Sequence, residues 1–330
     1  MLGGVFLMTV LEPQALAARQ GANRLWQGVA VAGAAALLLG LRLGGTGLVA
    51  LIPDDDEAGF TVDRPAVWNP GWLFTGDRGW ASKTFQAELG LATTTHPRPI
   101  TAPAAADALL DRVTAGSRGA RVVSREPVVR DGVHGERLRL AFDFAEQAQE
   151  AEALVLVRGV YEHRVVLKTT ADARGRYLPM AGRVFESLRL EPLPEVEEAR
   201  ARARQHPRSW EPAVAYGDAL YRTGSPGEAL ASYERALGLS PGEPAALLGL
   251  LRTIQHYELP GGPAAAARAL ELAGDHPKVV VAAVELLEAS GDPAAAVAAL
   301  DQAWALLPGD RALRRARNQR GLPVELPPPG

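Results

Sequence analysis

A chain of 330 residues, 47% hydrophobic and 22% charged, has the length of about two domains and is too apolar for global disorder. Lys+Arg 35 against Asp+Glu 38 gives a formal net charge of −3, which excludes the overall positive field that gathers nucleic acid regardless of sequence. The lack of cysteine excludes disulfides, thiolate metal sites, iron–sulfur clusters and cysteine nucleophiles together.

The first 53 residues read as an N-terminal arm and a single transmembrane helix. Gly28 to Leu41 is uncharged, and after Arg42 the apolar pattern resumes as far as Ile52. As a helix, residues 28–52 would measure roughly 37 Å, enough to span a hydrocarbon core of about 30 Å with tilt. Arg42 lies toward the C-terminal half and can snorkel, Trp26 stands at the other edge, and Pro53 with Asp54–Glu57 closes the run. A buried Ala/Gly-rich helix and a cleaved signal peptide, with Ala15-Leu16-Ala17 as its site, are the competing readings. Arg19 and Arg24 precede the run and only Arg64 follows closely, so the positive-inside rule places residues after 53 on the extracytoplasmic, periplasmic side. Lysine occurs only at Lys83, Lys168 and Lys278, an Arg-biased composition of the kind high-GC bacterial genomes encode.

Residues 54–59 read as an acidic linker. Asp54, Asp56 and Gly59 match the first, third and sixth places of a calcium loop, but Ala58 and Pro65 break it. The histidines are scattered singly without an HExxH, so no metal or other cofactor is expected.

Over 60–190 the pattern predicts an α+β domain with a mostly antiparallel sheet. Phe85, Ala87, Leu89 and Leu91 share one strand face, and Leu138, Leu140, Phe142 and Phe144 another, with Arg137, Arg139 and Asp143 opposite. Further strands are expected at Ala153–Arg158 and Val160–Thr170, with Tyr161 and His163 as a surface pair. Thr101 can cap a helix with Pro103 in its first turn, an apolar stripe of Leu109, Leu110 and Val113, and Gly116 at its end. A second helix is expected over Tyr177–Leu188. The order of these elements, with GFTVDRPAVW at the start and VFESLRL at the close, resembles the PsbP-like domains of bacterial envelope proteins. That resemblance implies the fold and carries no functional residue.

After a Pro-containing linker at 191–194, Pro207, Pro241, Pro277 and Pro308 recur at intervals of 34, 36 and 31 residues, a helical-repeat signature. Gly217, Ala229, Tyr233, Ala236 and Pro241 stand at the mutual spacings of the tetratricopeptide repeat, and residues 195–320 resemble that family. Small residues let paired helices approach, and Tyr233 fills the gap between them. Gly291, Ala296, Leu300, Ala303 and Pro308 repeat the scheme, whereas the middle repeat has Leu251 at the small-residue place and a longer turn, LPGGP. Arg311–Arg320 reads as a polar capping helix whose arginines could also hold acidic groups, and 321–330 as a disordered Pro-rich tail.

The repeat register assigns a groove to Asp218, Tyr221, Arg222, Arg252, Gln255, His256, Glu285 and Glu288. Chaperone-tail-binding members of the family clamp a terminal carboxylate with basic and Asn residues; here those places hold Val214, Asp218, Leu248 and Arg252. The resulting expectation is a membrane-anchored, non-catalytic scaffold that binds a protein or peptide partner and no nucleic acid. The alternative assigns small-ligand binding or catalysis to the α+β domain, with the repeats as an accessory.

Overall fold

The computed structural model describes residues 51–56, 60–65, 68–70, 78–82, 86–191 and 193–324. The proposed membrane span 28–52 lies outside them, apart from Leu51 and Ile52, which open strand β1 (Leu51–Asp56). The tail 325–330 also lies outside. Among the described residues no helix is long and apolar enough to cross a membrane. Asp54–Asp56, expected in a linker, are strand: β1 forms the edge of a three-stranded sheet with β2 (Phe60–Pro65) and a later strand, β10 (Arg189–Leu190).

The main sheet is seven-stranded and antiparallel throughout, in the order β3-β4-β5-β9-β8-β7-β6. Two short strands, β3 (Asn69–Pro70) and β4 (Arg78–Ala81), lie at one side of β5 (Ala87–Thr95). The rest are the long strands β6 (Arg118–Arg130), β7 (Val133–Phe144), β8 (Gln147–Arg158) and β9 (Tyr161–Thr170). Period-2 alternation sorts their side chains between two helices. Helix α1 (Ala102–Gly116) lays Leu109 and Val113 on Leu138, Leu140, Phe142, Ala151, Ala153 and Val155. Its start is capped as expected, with Thr101 Oγ1 accepting from the Ala104 amide at 3.3 Å. Helix α2 (Arg174–Ser187) covers the other face, where Phe185 lies under the Arg137 guanidinium. On that face Glu152 holds Arg137 at 2.6 Å, and Glu150 holds both Arg139 and Arg174. Together these pairs hold the Glu150 carboxyl below its usual range against the opposing effect of burial.

Strand β6 was not expected. It forms the edge of the sheet and buries neither face, with Val122, Val123 and Val129 exposed by 40%, 51% and 62%. Without a buried face it shows no alternation to read. His163 differs as well. It is 1% exposed, packed edge-on against Phe60 at 5.3 Å, so it belongs to the core and not to a surface pair with Tyr161.

Beyond residue 193 the chain is a run of helices. Helix α3 (Pro194–Gln205) precedes three helix pairs. The pairs are α4 (Glu211–Arg222) with α5 (Pro226–Leu239), α6 (Pro244–His256) with α7 (Gly262–Ala273), and α8 (Pro277–Ala289) with α9 (Pro293–Leu306). Helix α10 (Arg311–Gln319) closes the run. Pro207, Pro241 and Pro308 follow the helices they were expected to end, but Pro277 opens α8, where its missing N–H costs nothing. In the middle repeat Gly249, two residues before the expected Leu251, is the point of close approach. A methyl group at Gly249 would stand 2.3 Å from the Tyr233 ring, and one at Gly217 2.6 Å. Tyr233 is thus clamped between glycines of successive repeats, while Leu251 is simply buried in the core.

Candidate functional site

Three helices direct stripes of residues into one cavity of about 580 Å³. Helix α6 supplies Leu248, Arg252, Gln255 and His256, and α8 supplies Lys278, Val281, Ala282 and Glu285. The capping helix adds Arg311, Arg315 and Gln319. On each helix these fall at about three-, four- and seven-residue steps, which is why one face of each meets the same space. The floor is apolar and the rim is charged.

The residues assigned by repeat register divide into two groups. Arg252, Gln255, His256 and Glu285 line this cavity. Asp218 is engaged in the repeats: the Tyr233 hydroxyl donates to its carboxylate at 2.7 Å, while burial raises the Asp218 carboxyl above its usual range. Burial also raises the Tyr233 phenol. Tyr221 is half-buried, with its hydroxyl 2.6 Å from His256 Nδ1 and its ring edge-on to Tyr257 at 5.8 Å. Burial, reinforced by Arg98 and Arg252 nearby, lowers the His256 pKa and favours the neutral imidazole in that hydrogen bond. Glu288 is held by Arg320 through two 2.6 Å bonds.

Arg222 points away from the groove. It donates to the Tyr161 hydroxyl at 2.7 Å, and that hydroxyl in turn donates to Glu195 at 2.7 Å. Register places residues along a helix but cannot foresee that the tip of the β8–β9 hairpin seats against the turn between α4 and α5. There the Val160 amide donates to the Arg222 carbonyl at 2.8 Å. Gly159, at φ +63°, makes the approach possible, since a methyl group would stand 2.1 Å from the Arg222 carbonyl oxygen. Gly159→Ala is therefore expected to unseat the hairpin from the turn. Limited proteolysis should show faster cleavage near residues 191–194, and an unchanged cleavage rate would overturn the contact.

Sequence reasoning missed Lys278 and the inward side of the capping helix. The helical spacing of Lys278 with Ala282 and Glu285 was the available signal. A second, larger cavity of about 1150 Å³ lies among the β6–β7 hairpin, the start of α1 and the α4–α5 turn. Its wall is mainly apolar, including Ile100, Pro103, Val128, Val129 and Val157. Two of its polar groups are already engaged, Glu136 with Arg125 at 3.2 Å and Asp131 with the Leu190 amide at 3.3 Å. Among the described residues no group of His, Asp and Glu could hold a metal ion.

No protein-family model matches this chain, and no curated protein is significantly similar to it. Solved structures similar to it include PsbP of Synechocystis sp. PCC 6803, at 17% identity over 44% of this chain and 96% of that one, with a TM-score of 0.37. LpqN of Mycobacterium tuberculosis, involved in cell envelope biogenesis, is 13% identical over 44% of this chain and 92% of its own, with a TM-score of 0.32. MamA is 16% identical over 38% of this chain and 77% of its own, with a TM-score of 0.30. These are weak resemblances. The mixed α+β region and the C-terminal helical repeats stand on the geometry above.

Proposed function

We propose that this chain is a non-catalytic scaffold that binds a segment of a partner protein in the helical-repeat cavity, anchored to a membrane through residues 28–52. The observation that carries the binding role is the cavity itself. Side chains from three helices converge on it without being spent on the fold, as Arg252, Lys278, Glu285, Arg311 and Arg315 are all exposed. The anchor rests on the uncharged sequence alone.

Because Tyr221 helps pack the repeats, the cleaner probe is Arg252→Ala combined with Gln255→Ala. Partner affinity is expected to fall at least about tenfold, with circular dichroism unchanged. A photo-crosslinker placed at Gln255 in the full-length protein in cells should capture the partner, and one placed at Glu271, on the second helix of its pair, should not. Crosslinks from His134 and none from Gln255 would favour the second reading, in which the larger cavity of about 1150 Å³ takes a ligand.

A further inference from the structure

We infer that the segment held in the repeat cavity is acidic, an extended stretch of Asp and Glu carrying apolar side chains. The inference rests on the binding role proposed above and specifies its ligand. Four cations, Arg252, Lys278, Arg311 and Arg315, face the cavity against one carboxylate, Glu285. None of the four forms an ion pair or side-chain hydrogen bond within the described residues. The carboxylates that could have neutralised them are committed elsewhere. Asp310 caps α10, accepting from the Ala312 and Leu313 amides at 2.8 and 3.0 Å. Glu288 is bound to Arg320 and Asp301 to Arg317, while Asp218, which accepts from Tyr233, offsets Arg252 in part through space. In a chain of net charge −3, four converging cations without an ion-pair partner among the described residues, against one carboxylate in the same lining, are a local reversal of sign, which attracts negative charge from a partner.

Arg98, in the loop after β5, extends this field. It lies close enough to Tyr221 and His256 to act on both electrostatically, although it does not line the cavity. The remaining lining selects a peptide over a polyphosphate. Gln255 and Gln319 offer amides that both donate and accept, matching a peptide backbone, whereas a nucleic-acid backbone presents chiefly acceptors. Leu248, Val281 and Ala282 form an apolar floor suited to a side chain between the acids. Glu285 would repel a continuous row of phosphates.

The test uses the full-length protein and three labelled peptides of equal length and equal leucine content, one rich in Asp and Glu, one in Asn and Gln, and one in Lys. The acidic peptide should bind at least about tenfold more tightly than the neutral one and weaken as salt is raised. Arg311→Glu with Arg315→Glu should abolish that preference. Glu285→Gln should strengthen acidic-peptide binding severalfold, a gain that misfolding cannot produce. Equal binding of the neutral peptide, equal binding of a single-stranded oligonucleotide, or no gain in Glu285→Gln would each overturn the inference. If the Gln255 crosslinker still captures a partner while the acidic peptide fails to bind, the binding role stands and the acidic assignment falls. If neither is seen, both fall.

Discussion

Tyr233→Ala is expected to destabilise the helical repeats by about 3–5 kcal/mol, the range for removing a buried aromatic side chain. Tyr233 is 1% exposed, and its ring is gripped between Gly217 and Gly249. Tyr233→Phe keeps the ring and loses the bond to Asp218, which should cost about 1 kcal/mol. Gly249→Ala drives a methyl group into the ring from the opposite side and should cost about 1–3 kcal/mol by overpacking. Urea titration followed by helical circular dichroism would measure all three. A Tyr233→Ala transition unmoved from wild type would show that the ring does not join the repeats.

That clamp was half legible. Tyr233 and Gly217 follow from repeat spacing, because close helix approach demands a small residue facing a large one. Gly249 does not. The repeat that contains it has Leu251 at the expected place, and a two-residue shift of the contact becomes visible only when the helices are packed. The sheet shows the same division. Strands β5 and β7 announce themselves by alternation, and β8 by a nearly continuous apolar run over Ala153–Arg158, because each buries at least one face. Strand β6 buries neither, yet Asp131-Gly132 stands between Val129 and Val133 as a hairpin signal that would have found it, with φ values of 50° and 77° at the turn.

Legibility of the site follows the range of the interactions involved. Arg252, Gln255, His256 and Glu285 were found because helix periodicity is local. Arg222 was misplaced because its partners, Tyr161 and Glu195, come from elements brought beside it by the fold. Glu288 was misplaced because Arg320, at the end of the capping helix, folds back on it. For Arg311 and Arg315 the sequence leaves two readings open, a solvated cap and a holder of acidic groups. Which arginines on a polar helix are paired depends on tertiary neighbours, and here Arg317 and Arg320 take the available carboxylates.

His163 makes the α+β domain sensitive to acid. Burial, with a smaller contribution from Arg158, lowers its pKa from 6.5 to about 3. Its Nδ1 lies 3.3 Å from Thr93 Oγ1, while Nε2 is buried with no hydrogen-bond partner, beside the Phe60 ring. A proton therefore binds more readily to the unfolded chain than to the folded one. Stability is intact above pH 6.5 and is lost as pH falls from 6.5 toward about 3, at about 1.4 kcal/mol per pH unit. His256, lowered in the same direction by burial, adds to the loss in the repeats. Glu150 also loses its stabilising ionised form, but only as pH falls below the ordinary carboxylate value of 4.5. Between pH 6.5 and 4.5 the histidines thus act without it. His163→Leu should flatten the fall in stability across that interval, leaving the contribution of His256, and adding His256→Asn should flatten it further. Urea midpoints measured at intervals across that pH range would decide the point. If His163→Leu falls as steeply with acid as the wild type, the buried imidazole is not the acid-sensitive group.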